Sequence, residues 1–183
     1  WTLDSKGELL ITIMSSLAQE ESRSISGNTT WGHRKRFADG KVSVAYRRFL
    51  GYDKGTDRKM VVNEKEAPTI RLIYRLYLEG LSTHSIAAEL TRRESKTPSG
   101  KTKWGSGTVR SILSNEKYKG DALLQKRYTV NFLTKKTKKN EGEIPQYYVT
   151  GDHEAIISPE VFDLVQTEIA RRNGGKERYS GVS

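Results

Sequence analysis

Cysteine is absent from the 183 residues, which excludes a disulfide framework and a thiolate zinc site. Histidine is scarce: His33, His84 and His153 stand far apart, without the spacing of metal ligands. No apolar run approaches the ~20 residues a membrane helix needs. The N-terminus lacks the basic-then-apolar order of a signal peptide. The serines fall at cap and loop positions with no general base near them in sequence, so no residue here is a candidate nucleophile. These absences lead to the expectation of a soluble, cytoplasmic chain with no metal, no cofactor, no membrane partner and no catalytic residue of its own. Trp1 in first position suggests a piece of a longer protein.

Charge is plentiful and segregated. The net charge is +10. Residues 1–29 carry two basic and four acidic side chains, and residues 30–63 carry nine against three. Residues 64–90 hold three against four, 91–140 hold fourteen against three, and 141–183 hold four against eight. Two basic blocks thus alternate with three mildly acidic ones, a pattern that suits two polyanion-facing surfaces.

Periodicity predicts an α+β chain that is mainly helical. Ser5-Lys6-Gly7-Glu8 has the form of a capping box ahead of Leu9, Leu10, Ile13, Met14 and Leu17. That helix is expected to reach Phe37 and stop before Gly40, polar and then basic along its second half. An amphipathic helix of such length needs packing, so it is expected to dock on another domain or a second copy. Phe49–Asp53 and Met60–Asn63 read as short strands around a glycine-containing turn. A helix with Ala67, Ile70, Ile73, Tyr74, Tyr77 and Leu78 on one face is expected to stop at Gly80. Ser82 caps a second helix with Ile86, Ala87 and Leu90 inward. A polar loop, 95–103, then leads to a third helix.

That third helix, Gly105–Asn115, carries the main functional expectation. Val109, Ile112 and Leu113 form one apolar edge, while Thr108, Arg110, Ser111 and Ser114 face away. Helix, turn, helix, loop, helix is the order of a helix-turn-helix unit, whose last helix reads base edges in the major groove. Further along, Tyr118–Val130 alternates as β structure, Lys135–Asn140 reads as a loop, and Gln146–Val149 and Ala155–Ile157 read as strands. Ser158-Pro159 starts a last helix with Phe162, Val165 and Ile169 inward, ended by Gly174-Gly175.

Several segments together resemble the large serine recombinases, the phage integrases and transposon resolvases. Ser5–Leu10 running into Ser16–Glu21 is similar to the start of the long helix that ends their catalytic domain, and Trp31-Gly32-His33-Arg34-Lys35 to its basic end. Phe49-Leu50-Gly51-Tyr52, Asn115–Gly120, Gln146-Tyr147-Tyr148-Val149 and His153–Ser158 resemble signatures of the adjoining recombinase domain. The resemblance implies double-stranded DNA attachment sites as partner, and self-association as dimer or tetramer in the full-length protein. It also implies a phosphoserine intermediate made by a serine that would lie upstream of Trp1. It divides the chain into a long helix over 1–38, a DNA-binding domain over 39–173 and a flexible tail over 174–183. Two departures stand out: Glu21-Ser22 replaces the family's Glu-Arg, with Arg23 displaced by one, and the cysteine-bearing zinc ribbon and the coiled coil are missing.

The expected DNA contacts follow the basic blocks. Arg34, Lys35 and Arg36 end the long helix, and Lys41, Arg47 and Arg48 continue the block toward phosphates or a narrow minor groove. Thr102 and Lys103 are expected on the backbone; Ser106, Thr108, Arg110 and Ser114 on base edges; Lys135 and Lys136 on phosphates. Trp104 is expected to be a packing anchor, Tyr74, Tyr77, Tyr147 and Tyr148 core or half-buried residues, and His153 a hydrogen-bonded structural residue. A sequence-specific regulator without enzymatic activity accounts for the same third helix, and a general RNA- or ribosome-binding protein accounts for the charge but not for the ordered helices.

Overall fold

The computed structural model describes residues 5–40, 46–56 and 59–174. Among them are five α-helices and three two-stranded pairings, a mainly helical α+β fold. The elements group into two compact units, one comprising residues 1–42 with 123–148, the other residues 43–122 with 149–183.

The first unit contains α1, Ser5–Ala38, 34 residues long and therefore about 50 Å at ~1.5 Å per residue. Thr12, Thr29 and Thr30 donate their hydroxyls back to the carbonyls of Glu8, Ile25 and Ser26, all at 2.8 Å, which satisfies them within the helix. Leu10, Ile13, Met14 and Leu17 recur at helical spacing and stay exposed. No described helix is long and apolar enough to cross a membrane.

The same unit holds a ribbon of β4 (Arg127–Thr129) and β5 (Thr137–Lys139), antiparallel with Tyr128 opposite Lys138. The lysine run expected to be a loop is therefore partly a strand. Lysines disfavour strands by propensity, but pairing overrides it: the Val130 amide donates to Lys136 O at 2.8 Å, and Arg127 Nη2 reaches Thr137 Oγ1 at 3.2 Å. Beyond β5, Asn140 is buried, donating to the carbonyls of Gln125 and Ile144 and accepting from the amides of Gly142 and Ile144. A third pairing joins β3 (Ala122–Leu124) and β6 (Tyr147–Val149). Tyr147 is half-buried as expected, whereas Tyr148 is exposed.

In the second unit, β1 (Tyr52–Lys54) and β2 (Met60–Val62) form the expected hairpin, with Asp53 opposite Val61. Asn63 then turns the chain: its Oδ1 accepts from the amides of Lys65 and Glu66, and its carbonyl accepts from Ala67. Three helices follow, α2 (Ala67–Leu78), α3 (Thr83–Arg92) and α4 (Ser106–Leu113), then α5 (Pro159–Gly174) after the second crossing of the chain. Ile70, Ile73, Tyr74 and Tyr77 of α2 are buried, but so is Leu76, while Leu78 points outward. α3 buries Ile86, Ala87 and Leu90 behind the Ser82 cap, whose Oγ accepts from the Ser85 amide at 3.1 Å.

Residues 155–157 are not a strand, although Ile156 and Ile157 are buried. Both of their amides donate to the single carbonyl of Tyr118, at 3.1 and 2.9 Å, leaving nothing for a ladder. Tyr118 and Lys119, expected to begin a strand, instead end the 3-10 turn Glu116–Lys119. Gly120 closes that turn at φ +90°, where a Cβ would lie 2.8 Å from His153 O.

Aromatic rings and their hydroxyls tie the unit together. Tyr52, Tyr74 and Tyr118 are buried, and burial pushes all three phenols well above their ordinary pKa. Each hydroxyl donates to backbone: Tyr52 to Glu154 O at 2.8 Å, Tyr74 to Ile112 O at 3.0 Å, Tyr118 to Leu50 O at 3.0 Å. His153 sits edge-on to Tyr52, its Nδ1 3.1 Å from Asp152 Oδ2 and its Nε2 2.6 Å from Lys117 O. It is a hydrogen-bonded structural residue, as expected.

Candidate nucleic-acid interface

α4 forms where the sequence places an apolar edge after a glycine. Val109, Ile112 and Leu113 are buried, and Ser106, Gly107, Arg110, Ser111 and Ser114 are exposed. Four hydrogen bonds lock the helix to the scaffold. At its start, the buried Trp104 donates Nε1–H to Ser95 O at 2.8 Å, while its own amide donates to Thr91 Oγ1 at 3.0 Å. Thr91 in turn donates its hydroxyl to Ala87 O at 2.8 Å, so the anchor belongs to α3. At its end, Gln166 Nε2 donates to Leu113 O at 2.8 Å and Tyr74 OH to Ile112 O.

The loop before α4 is ordered by its own hydrogen bonds. Thr97, buried, donates its amide to Lys101 O at 2.7 Å and takes the Lys101 amide on its hydroxyl at 3.0 Å, and the Gly100 amide donates to the Thr97 carbonyl at 2.8 Å. Gly100 needs its φ of +79° for this turn.

Between this loop and α4 runs an open cleft of about 450 Å³. Arg48 and Phe49, Ser99 and Lys103, and Thr108, Ser111 and Asn115 are on its walls, with Tyr118 among the buried lining. Three sequence-predicted residues, Arg48, Lys103 and Thr108, thus share one cleft. Arg110 does not line it. It stands on the opposite flank of α4, with Nη2 3.3 Å from Asn173 Oδ1 of α5. Gly107 and Ser111 also line the cleft, and Ser114 lies between them and Arg110 at helical spacing.

The other expected contacts are distributed. Thr102, ahead of α4, and Ser106, its first residue, are exposed but outside the cleft lining, and Ser114 ends the helix as its C-cap. Arg47 lies in the 3-10 turn Tyr46–Arg48, and Lys41 falls outside the described residues. In the other unit, Arg34, Lys35 and Arg36 are exposed at the end of α1, with Lys35 Nζ 5.3 Å from the Trp31 ring centroid and Arg36 Nη2 2.8 Å from His33 Nδ1. Lys135 and Lys136 are exposed between β4 and β5.

Not every cation offers itself. Arg92 and Arg93, at the end of α3, are both taken by Glu89 at 2.6–2.9 Å, and they hold its carboxyl down at about 2. Lys138 pairs with Glu143, and Lys139 lies 3.6 Å from Glu141. Sequence reasoning missed Ser99 and Asn115 as cleft residues and Asn173 as a neighbour of Arg110. The Asn115-Glu116-Lys117 cap signal was legible; the Asn173 contact spans 63 residues and left no local trace.

A compact helix-turn-helix-like unit offering an uncovered third helix between an arginine and a basic cleft defines the class. The recombinase family's sequence profile matches residues 64–172, and this chain belongs to that family. A Bacillus subtilis (strain 168) protein named "Putative DNA recombinase" is 25% identical over 188 residues, covering 97% of this chain and 37% of that protein. A crystal structure of an LSR–DNA complex aligns at a TM-score of 0.55 and 26% identity over 80% of this chain and 38% of that one. A structure from work on the sequence requirements of the Listeria innocua prophage attP site aligns at 0.57 and 26% identity, covering 85% and 57%. The chain therefore spans between about a third and three fifths of these relatives. Together they make it the C-terminal region of a large serine recombinase.

Proposed function

We propose that this chain is the DNA-binding portion of a site-specific large serine recombinase and recognises one half of an attachment site. In the whole protein this recognition would direct integration or excision through a phosphoserine intermediate formed by a catalytic domain outside this chain. The observation that carries the reading is the split exposed face of α4. Its buried edge fixes the helix, and its exposed face presents Gly107 and Ser111 on the cleft, Arg110 on the far flank and Ser114 between them.

The chemistry suits a major groove. Small side chains let the helix approach closely, and a guanidinium can take guanine O6 and N7 together. The cleft suits the neighbouring backbone. Arg48 and Lys103 supply charge for a phosphate, Thr108 and Ser111 supply hydroxyls, and the Gly105 N-cap has no side chain to cover the first amides of α4. Arg34, Lys35, Arg36, Lys135 and Lys136 would add phosphate contacts from the other unit. The LSR–DNA complex among the similar structures supports the same partner.

Competition tests the proposal against general polyanion binding. Labelled duplex carrying a candidate attachment half-site should be displaced by unlabelled duplex at lower concentration than by double-stranded RNA of equal length. The deep, narrow major groove of A-form RNA cannot admit a reading helix. Equal displacement by both would remove α4 as a major-groove reader.

A further inference from the structure

The contact between Arg110 and Asn173 makes α5 more than a structural strut. We infer that Asn173 is a positioning residue for Arg110, so that the last turn of α5 sets the base preference expressed by α4. The inference rests on the proposed reading of Arg110 as a base contact.

Helix ends usually fray, yet this one is fastened. Phe162 and Val165 bury the first turns of α5, and Gln166 bonds the last carbonyl of α4. One residue before Asn173, Arg172 donates Nη1 to Leu81 O at 2.8 Å and Nη2 to Tyr77 O at 3.1 Å. Its guanidinium also lies 4.2 Å from the Tyr77 ring centroid. Glu168 takes Arg172 Nε at 2.6 Å and both Arg171 donors at 2.7 Å. Arg172 thereby takes the Leu81 carbonyl in the turn after α2 and joins the Gly80 amide on the Tyr77 carbonyl. The backbone that carries Asn173 is thus tied to the same scaffold that carries α4.

Asn173 Oδ1 accepts from one Nη2 hydrogen of Arg110 at 3.3 Å. A guanidinium has five N–H donors, so four remain for a bidentate acceptor. An exposed arginine otherwise samples many rotamers, and choosing one of them in advance lowers the cost of docking. The amide does this without neutralising the charge. A carboxylate in its place would compete with DNA for the same guanidinium, as Glu89 does for Arg92 and Arg93.

The test uses the whole chain and two families of duplex, a preferred site with its single-base-pair variants and a random-sequence duplex. Asn173→Ala should reduce discrimination at the base pair that depends on Arg110 by about three- to tenfold. Affinity for random duplex, the salt slope and the melting temperature should stay unchanged. In an Arg110→Ala background, Asn173→Ala should add nothing. Asn173→Asp should weaken binding to every duplex.

Additive losses in the double variant would overturn the inference, because Asn173 would then act on DNA directly or through the fold. So would unchanged discrimination in Asn173→Ala while Arg110→Ala flattens it. If Arg110→Ala itself leaves discrimination intact, the reading of α4 fails and the inference falls with it.

Discussion

Replacing Trp104 with alanine should release α4 from the rest of its unit. The indole is buried, and it joins three things: the loop from α3, the start of α4 and, through its amide, Thr91. Emptying a buried large aromatic costs about 3–5 kcal/mol. Against a typical total of ~5–15 kcal/mol, that is enough to loosen the loop and the helix together. Trp104→Phe keeps much of the apolar body but strands the Ser95 carbonyl, a loss of about 1–3 kcal/mol. Thr91→Val removes the acceptor of the Trp104 amide and should cost about as much. Urea unfolding followed by circular dichroism should rank the variants with alanine far below the other two. Amide hydrogen exchange across Ser106–Leu113 should accelerate most in Trp104→Ala, because the opening is local. A Trp104→Ala protein within about 1 kcal/mol of the parent, with unchanged exchange in α4, would refute the anchoring role of the indole.

Gly120→Ala should destabilise the second unit by more than the ~1 kcal/mol of an ordinary glycine substitution. Both the positive φ and the 2.8 Å approach of His153 O oppose a Cβ; a melting temperature equal to the parent's would contradict this. Glu168, held by Arg171 and then Arg172, titrates at about 2. Because that lies below its ordinary pKa, its contribution to stability is complete above the usual carboxylate range and lost as pH falls through about 2. A carboxyl-detected NMR titration should find this low midpoint, and an ordinary carboxylate midpoint would show that the two ion pairs do not persist in solution.

Local signals made much of this fold legible. The Ser82 cap and the spacing of Ile86, Ala87 and Leu90 placed α3, and Val109, Ile112 and Leu113 placed α4, because period and cap are properties of neighbouring residues. Where partners lie far away, local reading failed. Ile156 and Ile157 have the composition of a strand, but the one carbonyl that takes both amides belongs to Tyr118. The lysines of β5 read as loop because only their pairing with β4 makes them a strand. Leu78 lies beside the stripe of Ile70, Ile73, Tyr74 and Tyr77 and Leu76 lies off it, yet packing from another side buries Leu76 and leaves Leu78 exposed.

The interface was legible in the same measure. Arg48, Lys103, Thr108 and Arg110 were identifiable from charge and helical spacing. That Arg48, Lys103 and Thr108 share a cleft while Arg110 turns toward α5 depends on how the loop Thr97–Lys101 closes and where α5 ends.

The most direct test of the central claim is selection from a pool of random duplexes, with titration of the winners at several salt concentrations, for the parent chain, Arg110→Ala and Lys35→Ala. The parent should enrich a defined sequence. Arg110→Ala should lose discrimination of roughly 1–3 kcal/mol at one base pair within it. Lys35→Ala should keep the sequence, weaken all duplexes alike and reduce the salt slope by about one unit. Enrichment of the same sequence to the same degree by Arg110→Ala would contradict α4 as the element that reads the site.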